Sequence, residues 1–391
     1  MSAADRGPLS GLRVVDMSTT LMGPYCGLLL AQLGADVIKV ERPGGDIVRD
    51  ISDRSGHGLG DFYLNFNRGK RSVVLDVSND ADAAILREMI ADADVFSHNL
   101  RPASARKLGL SYDSLASSNP GLVYCSMHGF DQRGPWRDKP AYDDTIQAAA
   151  GIAAMQGGTT GAPPMYVKSP IADKTVGVFA VIGVLTALYE RASSGLGQEV
   201  SVPMYETMVA FTAMDQQGGT VFDPPLGPKG YARMESPHRR PYQTADGYIA
   251  VMVYTDRQWA SFFTLIERPD LLADDRLLTI GGRTENIDEL YALVAEVLPT
   301  RTTEDWLHIL DSLDIPAAPV MSIDEVVKTP QSIASGVFES VDHPVLGLLR
   351  QPGMPVTFGR TPPAPAGPAV LLGADSAAIR DHYDHKSGAQ R

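Results

Sequence analysis

Residues 11–41 read GLRVVDMSTTLMGPYCGLLLAQLGADVIKVE, and this stretch decides the fold class. GLRVVDMS at 11–18 is a short apolar strand. A helix follows from Pro24, PYCGLLLAQL, and stops at Gly34, with proline near the start and glycine just past the end, where each fits the backbone. ADVIKVE at 35–41 then returns as a second strand. Strand, helix and strand make a βαβ unit, and a helical crossover of that kind joins parallel strands.

The same alternation continues outward. SVVLDV at 72–77 is a third strand, DADAAILREMIADA at 80–93 an amphipathic helix, and DVFSHNL at 94–100 a fourth strand. The pattern predicts a doubly wound α/β fold. Residues 120–172 are loop-rich, with GPW, GGTTGAPP and KSP, and lead into a long apolar helix from about Lys174; loops placed this way are where active sites gather. SSGLGQEVSVPMYETM reads as turn, strand and helix. Residues 218–241 turn rich in Gly, Pro and basic side chains, which predicts a linker. TADGYIAVMVY is a hairpin about Asp246-Gly247 that opens a second domain, and helices over 256–312 fill it. The PAAPVMS strand and the proline-rich run to 368 are expected to return to the first domain, with a frayed tail HKSGAQR.

Composition narrows the function. A chain of 391 residues with 44% hydrophobic and 21% charged side chains is expected to fold as two domains with a substantial core. Its net charge of −13 repels phosphates, so binding to nucleic acid or an anionic membrane is not expected, and an anionic ligand requires a local basic pocket. Cys26 and Cys125 stand far apart and no Cys/His cluster has ligand spacing, so neither a disulfide nor a metal is expected. The N-terminus lacks a secretory pattern, which points to the cytoplasm. The apolar run Val176 to Tyr189, bracketed by Lys174 and Glu190, is shorter than a bilayer span and reads as a buried helix.

Several blocks in order resemble the family III CoA-transferases, the group of formyl-CoA and carnitine CoA-transferases. They are GLRVVDMS, GPYCGLLLAQLGADVIKVERPGGD, NRGKRSVVLD, FSHNLRPASARKLGL, PAYDDTIQAAAG, IADKTVGVFAVIGVLTALYERASSGLGQEVSVPMYE and PAAPVMS, covering most of the chain. LGADVIKVERPGGD and GLGQEVSV are specific in combination. The resemblance implies a Rossmann-like large domain built from both chain ends, a smaller α+β middle domain, and a homodimer whose subunits interlock like rings. On that basis residues 1–217 form the first part of a CoA-binding domain, 218–241 the linker, 242–315 the small domain and 316–391 the return segment.

By the same resemblance, Asp173 in IADKT takes the place of the family's nucleophile, which attacks an acyl-CoA thioester. An aspartate just after Pro170 at the start of a long helix is also a common N-cap, and the position alone favours that plainer role. At a helix N-terminus the dipole would favour the ionised carboxylate that a nucleophile needs. The resemblance further implies that coenzyme A, a substrate and not a resident cofactor, is contacted by Arg42, Leu75 to Ser78, Asn99, Leu100, Arg101, Lys107, Tyr142 and Asp143. Lys107 and Ser78 stand where relatives carry other residue types. Arg68, Lys70, Arg71 and Arg106 are further candidate cations, although a single surface cation is most often simply solvated. The partners expected are an acyl-CoA donor and a carboxylate acceptor. Where formyl-CoA transferases carry a glycine-rich closing loop, this chain reads RMESPHRRPYQTADGY, in which Arg239 and Arg240 could meet an acceptor carboxylate or CoA phosphates, or be a solvated basic turn.

Three rivals are weighed. An α-methylacyl-CoA racemase needs a histidine and an aspartate on either side of the α-carbon, and Tyr142 stands where racemases place that histidine. His128 reads as a packed or hydrogen-bonded histidine beside a strand end and not as a catalytic base, and His57, His98 and His238 likewise gain no standing from spacing. A non-catalytic CoA-ester binding protein would not need Asp173. A nicotinamide dehydrogenase fails because neither βα turn carries G-x-G-x-x-G.

Overall fold

The computed structural model describes residues 7–157, 162–363 and 366–389. The chain divides into two compact units: residues 1–152, 166–211 and 330–391 form the first, and 153–165 with 212–329 the second.

The first unit is organised on a six-stranded parallel sheet. Its strands are β1 (Arg13–Asp16), β2 (Asp36–Glu41), β3 (Arg71–Val74), β4 (Val95–His98), β5 (Val123–His128) and β6 (Glu199–Pro203), in the order β3-β2-β1-β4-β5-β6. Its helices are α1 (Met22–Gln32), α2 (Asp61–Phe66), α3 (Asp80–Ala91), α4 (Pro102–Lys107), α5 (Tyr112–Ala116), α6 (Asp143–Ala149), α8 (Ile171–Ser194) and most of α9 (Met204–Gln216), while α7 (Ile152–Gly157) after its first residue belongs to the second unit. The expected βαβ unit is therefore β1-α1-β2, and the doubly wound class is observed. β5 lay inside the stretch read as loops. All six of its residues are buried, so VYCSMH has no apolar-polar alternation to betray a strand.

One core layer joins α1 and α8 to the sheet through Cys26, Leu30, Val95, Cys125, Val176, Ala180 and Val184; the other packs Leu86, Met89 and Ile90 of α3 on Ile38, Val73 and Phe96. α8 lies close to α1 because residue 177 is glycine: a Cβ there would stand 2.9 Å from the Met22 carbonyl oxygen. Gly195 ends α8 in the left-handed conformation at φ 75°. In the same unit the antiparallel pair β10 (Phe338–His343) and β11 (Gly347–Pro352) precedes a C-terminal helix, Ser376–Ala389, so the tail expected to fray is helical in its backbone to Ala389.

The second unit has a three-stranded antiparallel sheet of β7 (Tyr242–Gln243), β8 (Tyr248–Val251) and β9 (Ala317–Pro319), packed with Trp259, Phe262, Leu290, Val294 and Trp306. The hairpin at Asp246-Gly247 is present. PAAPVMS does not return to the first unit at this point: its Ala317–Pro319 pairs with β8, because this sheet needs a third strand to cover its apolar side. The 218–241 stretch belongs to the second unit, with a 3-10 turn at Gly218–Val221 and a short helix at Ala232–Glu235.

Candidate active site

Parallel strands put all their carboxyl ends on one edge of the sheet, and the strand order reverses between β1 and β4, where such sheets bind ligands. A cavity of ≈ 360 Å³ opens there. Thr19 and Thr20 come from the turn after β1, Asn99 and Arg101 from beyond β4, His128 from the end of β5 and Met204 from beyond β6. Arg137, Lys139 and Tyr142 from the β5–α6 loop close one side, and Asp173 reaches in from α8.

Asp173 sits in the first turn of α8, half-buried, with Pro170 at the cap position. It is not the residue that caps this helix. Asp143 is: its Oδ1 accepts from the backbone N–H groups of Ala172 at 2.7 Å and Asp173 at 3.0 Å, while its Oδ2 accepts from Gln147 Nε2 at 2.6 Å. Gln147, fully buried, accepts in turn from the N–H of Val167 at 2.9 Å. Asp143 was expected against coenzyme A; both its oxygens are committed to these bonds behind the cavity wall. The helix dipole expected to favour the ionised carboxylate of Asp173 is opposed here: burial, then the negative charges of Asp143 and Asp144, push its carboxyl up from 3.8 to about 7.

The turn after β1 is held from below. Asn99 clamps Thr19 through both backbone groups, Thr19 N–H to Oδ1 at 3.0 Å and Nδ2 to the Thr19 carbonyl at 2.8 Å. Thr20 has a left-handed φ of 72°, strained for a β-branched residue, and its N–H donates to Asp46 Oδ1 at 3.1 Å. Asp46 is paired with the buried Lys39 at 2.9 Å, which also donates to the Ser18 carbonyl. None of Thr19, Thr20, Lys39, Asp46, Arg137, Lys139 or Gln147 was singled out from sequence. The run STT directly before the helix, where a glycine-rich turn is usual, was the available signal.

Of the expected site residues, Asn99, Arg101, Tyr142 and Asp173 meet in the one cavity, with Asp143 beside it. Tyr142 is 71% exposed. Arg42 is exposed after β2, its Nε on the Gly45 carbonyl at 3.3 Å; Leu75 is buried in the core just beyond β3; Ser78 is exposed and bonded to Asp76 at 2.6 Å. Leu100 follows Asn99 with its N–H on His98 Nδ1 at 3.2 Å, and Lys107 is exposed in the last turn of α4. Three candidate cations are committed elsewhere: buried Arg68 pairs with Glu339 at 2.9 Å, buried Lys70 with Asp16 at 2.9 Å, and Arg71 with Asp36 at 3.4 Å. Arg239 and Arg240 belong to the second unit. Residues 158–161 of the GGTTGAPP loop lie outside the described residues.

Two histidines differ sharply. His98 is buried between Leu100 N–H and the Tyr124 hydroxyl at 2.6 Å, and burial lowers it to about 3, so it is a neutral structural group. His128 is also buried and lowered by burial, but it faces the cavity and its Nδ1 has no hydrogen-bond partner.

A cavity lined by a carboxyl at the switch point of a parallel 3-2-1-4-5-6 sheet is the ligand-binding arrangement of a Rossmann-like α/β protein. The chain belongs to CoA-transferase family III, whose model matches residues 9–376. It is 33% identical to the succinyl-CoA:mesaconate CoA-transferase of Haloarcula hispanica, over 98% of each chain, and 32% identical to the acetyl-CoA:oxalate CoA-transferase of Acetobacter aceti, over 97% of each. The crystal structure of Rv3272 from M. tuberculosis matches it with a TM-score of 0.83 at 28% identity, covering 95% of this chain and 99% of that one. It is thus an enzyme that moves coenzyme A between an acyl-CoA and a carboxylate.

Proposed function

We propose that transfer runs through covalent intermediates on Asp173. The observation carrying this reading is the Asp173 carboxyl inside the cavity at the sheet's carboxyl edge. The ionised carboxylate attacks the thioester carbonyl; the C–S bond breaks, and CoA thiolate leaves a mixed anhydride. The thiolate attacks Cγ of Asp173, releasing the donor acid and forming an aspartyl-CoA thioester. The acceptor carboxylate attacks that Cγ and expels thiolate, and the thiolate attacks the acceptor's carbonyl, freeing Asp173 and the new acyl-CoA. Remote binding of the large CoA body and exclusion of water protect each intermediate.

Coenzyme A is assigned to the same edge. Arg42 after β2, Leu75 and Ser78 after β3, and Asn99, Leu100, Arg101 and Lys107 after β4 all follow carboxyl ends of parallel strands, and Arg101, Arg137 and Lys139 supply the cations an acidic chain needs for an anionic ligand. Tyr142 stands at the cavity mouth. The donors and acceptors named for the relatives support succinyl-CoA or acetyl-CoA as donor and a small dicarboxylic acid as acceptor.

A homodimer is part of the same reading. α8 leaves Val178, Phe179, Ile182 (53%) and Tyr189 (82%) exposed while its other side is core, and an apolar stripe of that kind favours a partner subunit. α8 is long and apolar enough by composition to cross a membrane. Its packing on α1, β5 and β6 supports a core helix and a cytoplasmic enzyme instead.

One observation favours a second reading: His128, with its unpartnered Nδ1, shares the cavity with Asp173, as proton exchange at the α-carbon would require. Intact-mass spectrometry with a panel of acyl-CoAs, hydroxylamine trapping and peptide mapping separate the two. An adduct on Asp173, absent in Asp173→Ala together with all transfer, supports covalent transfer. Exchange of the substrate α-proton from D₂O without an adduct moves the assignment to a racemase.

A further inference from the structure

We propose that Asp143 is a positioning residue for the nucleophile: it fixes the backbone of Asp173 and opposes that carboxylate with its own charge. The proposal rests on Asp173 as the nucleophile. Three bonds define the arrangement. Asp143 Oδ1 takes the N–H groups of Ala172 and Asp173, so the first turn of α8 cannot rotate without breaking both; Oδ2 takes the Gln147 amide. Gln147 then holds the N–H of Val167, six residues before Asp173. α6 thereby grips the chain entering α8 at two points through buried groups, and buried polar networks of this completeness set one geometry.

Carboxylate acceptors on helix amides are common, but this one is placed next to another carboxyl that must ionise to react. The charged and titratable groups about Asp173 are Asp143 and Asp144 from α6 and His128 from β5. Across the cavity stand Arg101, Arg137 and Lys139, with Asp138 and Tyr142 on the same loop. Tyr25 of α1 lies one turn along, at Gly177, and Lys174 is turned away onto Ser169 Oγ at 2.6 Å. Asp143 is the group in this set bonded to the nucleophile's own amide, and the two α6 carboxylates are the charges that raise Asp173.

The test is Asp143→Asn in the full-length enzyme, with kcat/KM for the acyl-CoA donor measured from pH 5 to 9 and the Asp173 adduct quantified by mass spectrometry. Asparagine keeps an oxygen for the two amides and removes the charge, and it gives up the bond from Gln147 Nε2 because its own NH2 is a donor. The acid limb of kcat/KM, which reports the free enzyme, should move to lower pH by about one unit, since a like charge of this kind is removed. Asp143→Ala should lower kcat at least tenfold with a smaller change in KM, and Asp143→Glu should not restore it, because the longer side chain cannot meet both amides. Thermal melts identify any variant that fails to fold, and the carboxyl stretch of Asp173 followed by infrared titration reads the same shift without turnover. An unmoved acid limb and unmoved infrared titration in folded Asp143→Asn, with the adduct intact, would overturn this role and leave Asp173 as nucleophile. No adduct in the wild-type enzyme would overturn the nucleophile itself.

Discussion

Asp173→Asn should make the protein more stable, and only above mildly acidic pH. A carboxyl raised from 3.8 to about 7 means that the folded state resists ionisation that the unfolded chain accepts. Well below pH 3.8 both states hold the proton and the carboxyl has no effect on stability, and at pH 4 the effect is still small. As pH rises through the interval to 7 the unfolded chain ionises first, so stability is lost, and the loss is complete above the folded value. The full rise is worth about 4 kcal/mol, and because Asp173 is half-buried and screened by water, about 1–2 kcal/mol is the realistic size. Asparagine escapes this loss. Urea unfolding at fixed protein concentration should therefore show wild type and variant alike at pH 4, and the variant ahead by about 1–2 kcal/mol at pH 8. A gap that stays constant with pH, or a wild type that is the more stable at pH 8, would refute the reasoning that burial and the α6 carboxylates strain this group.

Two further outcomes follow from the contacts described. Arg42→Ala should raise KM for acyl-CoA about tenfold with kcat nearly unchanged, as expected for loss of one charge-assisted phosphate contact; steady-state kinetics at two salt concentrations checks it, and an unchanged KM removes Arg42 from the binding edge. Lys70→Met should destabilise by about 3–5 kcal/mol, because Asp16 would remain buried without its partner; the double variant Lys70→Met with Asp16→Leu should recover much of that loss in thermal melts.

The fold class was legible because βαβ units write themselves in local pattern: an apolar strand, a helix stopped at Gly34, a second apolar strand. β5 was legible only at its end, where His128 reads as a residue beside a strand end, since a strand buried on both faces and carrying Cys125, Ser126 and His128 loses its period. The second-unit strand at Ala317–Pro319 was misplaced because strand pairing is a long-range choice, and nothing local in PAAPVMS names β8 as its neighbour. In the site, Asp173 and Asn99 could be found by their blocks. That Arg68 and Lys70 are buried in ion pairs could not, because a basic residue in NRGKR looks the same whether it faces solvent, a ligand or an internal carboxylate. The strained Thr20 is invisible for a related reason: threonine ordinarily avoids that φ, so the sequence argues against what the fold imposes.

The raised carboxyl of Asp173 bears on why the site is built this way. A helix N-terminus with free amides would have lowered the carboxyl and made it a weak nucleophile. With the group buried and Asp143 occupying those amides, the carboxylate that forms is more basic and therefore more nucleophilic, while a substantial fraction is ionised near neutral pH. On the proposed route acylation removes that charge: in the anhydride and in the aspartyl-CoA thioester the repulsion from Asp143 and Asp144 no longer acts on residue 173, and Arg101, Arg137 and Lys139 of the same cavity are the cations available to the displaced thiolate. The first attack thus trades a negative charge on residue 173, held against two carboxylates, for one on the departing thiolate, and binding energy is expressed where the reacting bonds change. The same repulsion returns when the last thiolate attack frees Asp173. With CoA binding proposed along the strand ends and Asp143 proposed to position the nucleophile, mutations at Arg42 and at Asp143 should separate into effects on KM and on kcat.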